Sequence, residues 1–285
     1  MPDYQGSYNG LAFGAGTDVQ LVSIDGLRAL PEIRSGDVPR SRQDGSWAGL
    51  NFLGERIFTA LFEVFAPSQP FETVVAGVAT ALQNISDPNL QLPFDFQVPG
   101  WAEPRRVICR PTKGGTPINV PYVFHRAQIP VEFTANDPLV YSSTLRQASA
   151  GLPSPTAGLT FPVTFPVTFG ASTGGSMSVT NAGNYITAPV ITITGPVTNP
   201  TVTFVASGQF MTVNITLGPS DVLVIDMANR SVMLNGTASR YNLVTTGSQF
   251  WGIPPGTWSI GVASTDSSPV AALFTVTWRD AWGWA

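Results

Sequence analysis

Apolar and polar residues alternate along much of the chain, which is the pattern of β-strands with one buried face. The longest alternating run covers residues 159–169, where every odd position is apolar and every even position is Thr or Pro. It contains FPVT twice in tandem. Because proline cannot donate to a strand ladder, this run predicts an edge strand or a strand-like arm.

Shorter alternating runs, separated by turn residues, predict the strands of the second half. They lie at 185–193, 201–206, 211–217, 222–226, 231–234 and 273–278. Asn235 and Gly236 mark a tight turn after one of these runs, because both residue types tolerate positive φ. Many short strands without a helical period predict a β-sandwich.

The first half contains one segment with a helical period. Its apolar residues are spaced as on one face of a helix, and they are Phe71, Val74, Val75, Val78, Ala79 and Leu82. Pro70 precedes the segment and Asp87-Pro88 follows it, so we expect one amphipathic helix at 71–84. Flanking apolar runs predict strands of a small barrel or sheet against this helix, at 53–65, 93–98, 105–110 and 127–133.

Charged residues divide the chain into two parts. Residues 1–146 contain 11 basic and 14 acidic side chains, whereas 147–285 contain 3 and 4, and none lies between Arg146 and Asp221. The sequence QASAGLPSPTAG at this transition is typical of a short linker. We therefore predict a first domain at 1–146, a linker at 147–157 and a second domain at 158–285.

The composition favours a structural protein over several other classes. Only 11% of the residues are charged, against about 25% in an average soluble protein, and such neutral surfaces are usually shared with partners. The 14 Lys and Arg residues are dispersed and the net charge is −4, which argues against specific nucleic-acid binding. No apolar run approaches the roughly 18 residues of a membrane span, and no secretory signal is visible.

Few residues of the chain could support catalysis or bind a metal. His125 is the only histidine, and no G-x-S-x-G motif accompanies it. Cys109 is the only cysteine and lies in an apolar run, where a free cysteine behaves as a small hydrophobic residue. Asp221 and Asp226 stand in turn sequences, where aspartate bonds to nearby backbone. We expect no enzymatic activity, no metal site and no cofactor.

Tryptophan is concentrated at the end of the chain, where five of the seven residues fall within 251–285. They are Trp251, Trp258, Trp278, Trp282 and Trp284. Tryptophan fills cores and is enriched at the centres of protein interfaces, so core packing or subunit contact is the favoured interpretation. Stacking of the same rings on carbohydrate is the alternative.

Turn and strand motifs in a fixed order resemble a known family. In the first half they are Asn9-Gly10, Phe13-Gly14, Gly16-Thr17, Asp25-Gly26-Leu27, Pro31, Ile33-Arg34, Asp37, Arg40, Asp44-Gly45 and Gly54-x-Arg56. In the second half they are Asn199-Pro200, Leu223-Val224-Ile225-Asp226, Arg230-Ser231-Val232-x-Leu234-Asn235-Gly236, Pro254-Pro255-Gly256 and Trp278-Arg279-Asp280-Ala281-Trp282. Together they resemble the distal tail proteins of siphovirus-type, long-tailed phages, especially those of actinobacterial hosts.

This resemblance implies a mainly β fold, with an N-terminal tail-tube-like β-barrel domain carrying one helix and a C-terminal galectin-like β-sandwich. It implies a homo-hexameric ring at the virion tail tip, assembled in the host cytoplasm, which encloses the DNA channel. The implied partners are the tail tube protein, the tail-associated hub protein of the baseplate and the tape measure protein, with no membrane contact. The alternative is a carbohydrate-binding β-sandwich protein of a virion or adhesin.

Overall fold

The computed structural model of the chain describes residues 4–66, 70–83, 87, 89–153, 175–266 and 271–284. It divides into two compact units, Met1–Thr144 with Trp282–Ala285 and Leu145–Ala281. Strands dominate both units, and among the described residues one helix is longer than two turns, so the predicted mainly β class is confirmed. The FPVT run at 159–169 lies outside the described residues.

The first unit combines strands of two to ten residues with two helices. Its strands are β1 (Gly6–Tyr8), β2 (Leu11–Phe13), β3 (Val19–Asp25), β4 (Ile33–Ser35), β5 (Val38–Pro39), β6 (Ser46–Trp47), β7 (Asn51–Leu53), β8 (Arg56–Phe65), β9 (Leu92–Phe96), β10 (Arg105–Gly114), β11 (Arg126–Ala135) and β12 (Val140–Ser142). Its helices are α1 (Phe71–Leu82) and α2 (Val120–Val123).

Most of these strands form one antiparallel sheet in the order β2-β1-β9-β10-β11-β8-β3, with β12 beside the start of β10. Strands β8 and β11 pair over ten residues, from Arg56 opposite Ala135 to Phe65 opposite Arg126. Two shorter pairs, β4 with β7 and β5 with β6, lie outside this sheet.

The expected β-barrel is corrected to an open sheet, because in the described chain no ladder joins the edge strands β2 and β3. The turn between these strands is closed by one backbone bond, from the N–H of Gly14 to the carbonyl of Val19 at 2.7 Å, and by side chains. The carbonyl of Gly14 accepts hydrogen bonds from the Thr17 hydroxyl and the Gln20 amide, and the carbonyl of Val19 accepts a second one from Thr17.

Alternation along β8 and β11 builds the core of the first unit. Aromatic rings fill its centre, where Phe94 has five neighbours at centroid distances of 5.3 to 6.1 Å, namely Tyr8, Phe13, Phe58, Phe96 and Phe133. Offset and edge-to-face arrangements of this kind are favourable for the ring quadrupoles.

Helix α1 packs against this core through Phe71, Val75 and Val78, which are buried. Val74 and Leu82 are partly buried against the same core, so the predicted helical face is confirmed. The helix ends at Leu82, two residues before the predicted end, because the backbone of Gln83 is extended, with φ −89° and ψ 107°.

A single arginine, Arg56, lies inside the first unit with 1% of its surface exposed. Its guanidinium donates to the carbonyl oxygens of Leu27, Ala29, Pro138 and Gly283. Burial lowers the pKa of Arg56. The cost of burying the charge is offset because the planar guanidinium donates hydrogen bonds to backbone carbonyls of separate segments. The side chain thereby joins the loop after β3, the segment after β11 and the last residues of the chain.

The second unit is built almost entirely of strands. They are β13 (Arg146–Gly151), β14 (Ser176–Asn181), β15 (Val190–Thr194), β16 (Val197–Thr198), β17 (Thr201–Phe204), β18 (Gln209–Thr212), β19 (Thr216–Leu217), β20 (Val222–Asp226), β21 (Ser231–Leu234), β22 (Ala238–Ser239), β23 (Gly256–Ala263) and β24 (Leu273–Trp278). A 3₁₀-helix covers Tyr241–Leu243, and β25 (Ala281–Trp282) spans the boundary between the units.

Two sheets of the second unit share one hydrophobic core, as a sandwich requires. One has the strand order β13-β24-β15-β20-β21-β22 and the other β14-β23-β17-β18, while β16 and β19 form a separate pair. Strands β20, β21 and β24 have the predicted bounds. Asn235 and Gly236 both have positive φ, 51° and 75°, which confirms the predicted turn.

The structure corrects the start of the predicted linker at 147–157. Residues Arg146–Gly151 form β13, which pairs with β24 along its whole length. Ala150 is buried in the core, and Arg146 pairs with the buried Asp280, with 3.0 Å between Nη2 and Oδ2. Alanine, serine and glycine give only a weak alternation, which hides this strand in the sequence. Residues 154–157 lie outside the described residues.

Replacement of the buried arginine, Arg56→Met, should destabilise the first unit by about 3 kcal/mol or more, because it leaves buried carbonyls without donors. Urea unfolding and hydrogen exchange of the β8 amides measure this loss. Arg126→Met is the matched control, since the Arg126 side chain is 59% exposed and its bond to Glu63 should contribute under about 1 kcal/mol. Equal losses for the two variants would contradict the structural role of Arg56.

Candidate functional site

The first unit carries a two-stranded hairpin of residues 33–53, which we call the arm. Ile33 pairs with Leu53 at its base through β4 and β7, and Val38 pairs with Trp47 further out through β5 and β6. At the tip the backbone N–H of Arg40 donates to the carbonyl of Gly45, whose φ is +90°. The arm is therefore a continuous β-hairpin that belongs to neither edge of the main sheet.

Side chains brace the middle of the arm, where its two strand pairs meet. The carboxylate of Asp37 accepts from the backbone N–H of Gly49 at 2.7 Å, and Gly36 donates to the carbonyl of Leu50 at 3.1 Å. The bond from Gly49 is the main cause of a lowered Asp37 pKa, followed by one to Ser35. These bonds fix the course of a segment that has no core of its own.

The arm exposes large apolar side chains on both of its faces. The most exposed is Leu50, at 77%, followed by Trp47 at 64%, Val38 at 60%, Phe52 at 57% and Ile33 at 48%. The guanidinium of Arg40 stacks on the Trp47 ring at 4.4 Å. Contiguous exposed apolar surface of this kind marks interaction sites rather than ordinary solvated surface.

The tryptophans of the second unit serve mainly to pack it. Trp251 is 5% exposed and lies 5.4 Å from the Phe204 ring. Trp278 is 6% exposed and donates from Nε1 to the carbonyl of Thr180 at 2.9 Å. Trp258 is partly buried, and its Nε1 donates to the carbonyl of Pro254 at 3.0 Å.

The last two tryptophans belong to the first unit. Trp282 and Trp101 sandwich the guanidinium of Arg105, each ring centre 3.9 Å from the Arg105 Cζ atom. Burial in this stack is the main reason that the pKa of Arg105 falls to about 10. Repulsion by the positive charge of Arg28 is the second cause. Trp284 is 66% exposed, so among the five it is the one with mostly accessible surface.

The residues considered for catalysis are separate from one another and have structural roles. Cys109 is fully buried in the core, which raises the pKa of its thiol. His125 is exposed at the end of α2 with φ 54° and contacts the Phe71 ring. Asp221 accepts from the backbone of Gly218 and the side chain of Asn235, which lowers the Asp221 pKa.

Asp226 has the turn role predicted for it. Its carboxylate accepts hydrogen bonds from the backbone N–H groups of Ala228 and Asn229, both at 2.9 Å. Within the described ranges, no three His, Cys, Asp or Glu side chains come together as a metal site would require. Nor does any helix in that part of the chain have the length and apolar character to cross a membrane.

Sequence analysis missed the arm, because strands exposed on both faces show no apolar alternation. One available indication is the Asp44-Gly45 pair, which favours a hairpin turn. A second indication is that apolar residues stand on both sides of that turn, as expected for the two strands of a hairpin. The tryptophan cluster, in contrast, was visible in the sequence but turns out to be largely interior.

Comparison with known proteins identifies the relatives of the chain. Residues 182–282 match the family of siphovirus-type tail components in its C-terminal domain. The fold is similar to the crystal structure of SPP1 Dit (gp 19.1), a paradigm of the hub adsorption apparatus in Gram-positive infecting phages. That similarity has a TM-score of 0.64 at 13% identity and covers 96% of this chain and 97% of that chain. No curated protein sequence matches the chain significantly.

Two structures of the phage P2 baseplate in its activated conformation, one with Ca and one with Sr, are more distant. Their TM-scores are 0.48 and 0.49 at 11% and 10% identity, over 92% of this chain and 91% of each of those chains.

The C-terminal part of the chain thus matches a domain of siphovirus-type tail components, and the chain as a whole has a fold like that of SPP1 Dit. These two findings confirm the resemblance that the ordered sequence motifs predicted. The actinobacterial host and the galectin-like character of the sandwich stay predictions.

The close approach of backbone inside the arm gives a test of its structure. Gly49→Ala would place a β-carbon 2.1 Å from the carbonyl oxygen of Gly36, a contact that costs about 1–2 kcal/mol to relieve. We expect roughly 5- to 30-fold faster tryptic cleavage after Arg40 or Arg42, measured by limited proteolysis and mass spectrometry.

Gly77→Ala in α1 is the control for this experiment, because a β-carbon there meets nothing within 4 Å. Its rate of arm cleavage should equal that of the wild type. An unchanged rate in Gly49→Ala as well would show that the bonds across the arm do not hold it in the ordered state.

Proposed function

We propose that six copies of this chain form a ring at the tip of a phage tail, and that the ring joins the tail tube to the hub and baseplate. The observation that carries the proposal is the exposed apolar arm on a Dit-like fold. The role is structural and non-enzymatic. Its place is the virion tail tip after assembly in the host cytoplasm.

The arm favours assembly for energetic reasons. An isolated two-stranded hairpin is marginally stable in water, and this one buries almost none of its apolar side chains. Covering Leu50 or Trp47 with a neighbour would contribute about 1.5–3 kcal/mol for each side chain. If the covering surface belongs to a different part of the next copy, the contact is heterologous, and such contacts form a ring when the rotation between copies closes.

The proposed partners are the tail tube protein, the tail-associated hub protein and the tape measure protein. The ring would enclose the channel through which the genome passes. The net charge of −4 and the dispersed basic residues support a channel that does not retain DNA, because phosphate binding requires clustered positive charge.

The carbohydrate-binding alternative required accessible tryptophan rings in the sandwich. Trp251 and Trp278 are almost fully buried, and Trp258 is partly buried with its indole N–H bonded to backbone. These positions support packing of the second unit, so the tail-ring proposal is preferred.

Native mass spectrometry and size-exclusion chromatography with light scattering test the ring. The wild type should give a species of six times 30.2 kDa, about 181 kDa. Leu50→Asp should weaken subunit association about 10- to 100-fold, because it places a charge in the interface and removes apolar contact.

Tyr241→Asp is the matched control, since Tyr241 is 54% exposed on the second unit and outside the arm. It should assemble like the wild type. A wild-type protein that stays monomeric at all concentrations, and also with the tail tube and hub proteins present, would overturn the proposed function.

A further inference from the structure

The chain contains two Asn-Gly pairs, and the structure places both at exposed tight turns. Asn9 and Gly10 connect β1 to β2, whereas Asn235 and Gly236 lie between β21 and β22. All four residues have positive φ, 47° and 80° in the first turn and 51° and 75° in the second. The two sites therefore share their sequence, their exposure and their backbone conformation.

Asparagine before glycine can lose its side-chain amide without an enzyme. The glycine backbone nitrogen attacks the asparagine Cγ and closes a succinimide ring, and the side-chain nitrogen leaves as ammonia with the proton of the attacking N–H. Water then adds to one of the two ring carbonyls and opens the ring to aspartate or isoaspartate. Both glycines stand in open space, since a β-carbon added at Gly10 or Gly236 would meet no described atom within 4 Å.

Hydrogen bonds of the side-chain amide oppose this attack. The asparagine side chain must turn over its own backbone to bring Cγ within reach of the glycine nitrogen, so each bond that holds its amide must break first. Each bond therefore reduces the fraction of molecules in the reactive conformation, and a bond to a charged group reduces it more. The two sites differ in these bonds.

Both polar atoms of the Asn235 amide are bonded. Its Oδ1 accepts from the backbone N–H of Val222 at 2.9 Å, and its Nδ2 donates to the Asp221 carboxylate at 3.0 Å. The backbone N–H of Asn235 also donates to the carbonyl of Val222 at 2.8 Å. The bond from Asn235 is the main cause of the lowered Asp221 pKa. Because this carboxylate is ionised at neutral pH, the bond to it is charge-assisted.

Among the described residues, one hydrogen bond holds the amide of Asn9, and its acceptor is uncharged. The Nδ2 atom donates to the carbonyl of Ala81, in the last turn of α1, at 2.9 Å. The last carbonyls of a helix have no partner within the helix, so this bond caps α1 from the turn between β1 and β2. The side chain of Asn9 is therefore held less firmly than that of Asn235.

We propose that Asn9 is a modification site, where the folded protein deamidates spontaneously to aspartate and isoaspartate, and that its hydrogen bonds protect Asn235 from the same reaction. The product at position 9 has a carboxylate in place of the amide that donates to the Ala81 carbonyl. A carboxylate cannot donate, and it brings negative charge to the negative end of the helix dipole. The modification therefore removes the cap and loosens the end of α1.

Peptide mapping by mass spectrometry tests the difference between the two sites. The folded protein is incubated in a mildly alkaline buffer and then digested with trypsin, which separates the sites into fragments 1–28 and 231–240. Deamidation of fragment 1–28 should be about 10-fold faster or more than that of fragment 231–240. In urea, where the fold protects neither site, the two rates should be similar. Equal rates in the folded protein, or no reaction of fragment 1–28 while the unfolded chain reacts, would overturn the proposal.

Removal of one protecting bond tests its role. Asp221→Ala deletes the acceptor of the Asn235 amide and should speed deamidation of fragment 231–240 about 10-fold. The rate at Asn9 should stay that of the wild type, which makes this site the internal control. An unchanged rate at Asn235 would overturn the proposed protection.

The consequence for α1 is measured on a variant that carries the product side chain from the start. Asn9→Asp should raise hydrogen exchange of the amides in the last turn of α1 about 5- to 10-fold, because the cap is lost. Asn242→Asp is the matched control, since it makes the same chemical change at an exposed position of the second unit and should leave this exchange unchanged. Exchange at the wild-type rate in Asn9→Asp would contradict the loosening of α1.

Discussion

The guanidinium of Arg56 is the interaction on which the first unit depends. It stands at the start of β8, three residues after the arm's last strand ends at Leu53, and donates to the carbonyls of Leu27 and Ala29. These two residues lead into the first strand of the arm. One buried side chain therefore fastens both ends of the arm, and through Gly283 it also includes the end of the chain in the same unit.

This fastening explains how an exposed arm can keep a defined structure. Its strands contribute almost nothing to the core, so its order must come from its root and from bonds across it. At the root, Gly54 donates to the carbonyl of Glu32 at 2.6 Å, beside the Arg56 contacts. Further out, the Asp37 carboxylate bonds Gly49. A surface prepared in this way loses less conformational entropy when a partner covers it.

Sequence patterns predicted the elements that have one buried face. Strands β20, β21 and β24 and the start of α1 lie where alternation or helical spacing placed them. The patterns did not predict strands without such a face, namely the arm, or strands of small residues, namely β13. They also could not show that the sheet stays open, because alternation along one strand does not specify which strands pair with each other.

The second half of the chain is nearly uncharged, yet most of the exposed large apolar side chains lie in the first unit. Among the described residues, fourteen exposed large apolar side chains lie between Tyr4 and Phe124, against six between Leu145 and Leu273. The low charge of the second unit instead accompanies a well-packed sandwich, in which Trp258 and Trp278 donate to backbone carbonyls of the same unit. A surface with few charges loses little solvation free energy when a partner covers it. Apolar side chains that are exposed and held in place show where such a contact would lower the free energy of association. The second criterion selects the arm.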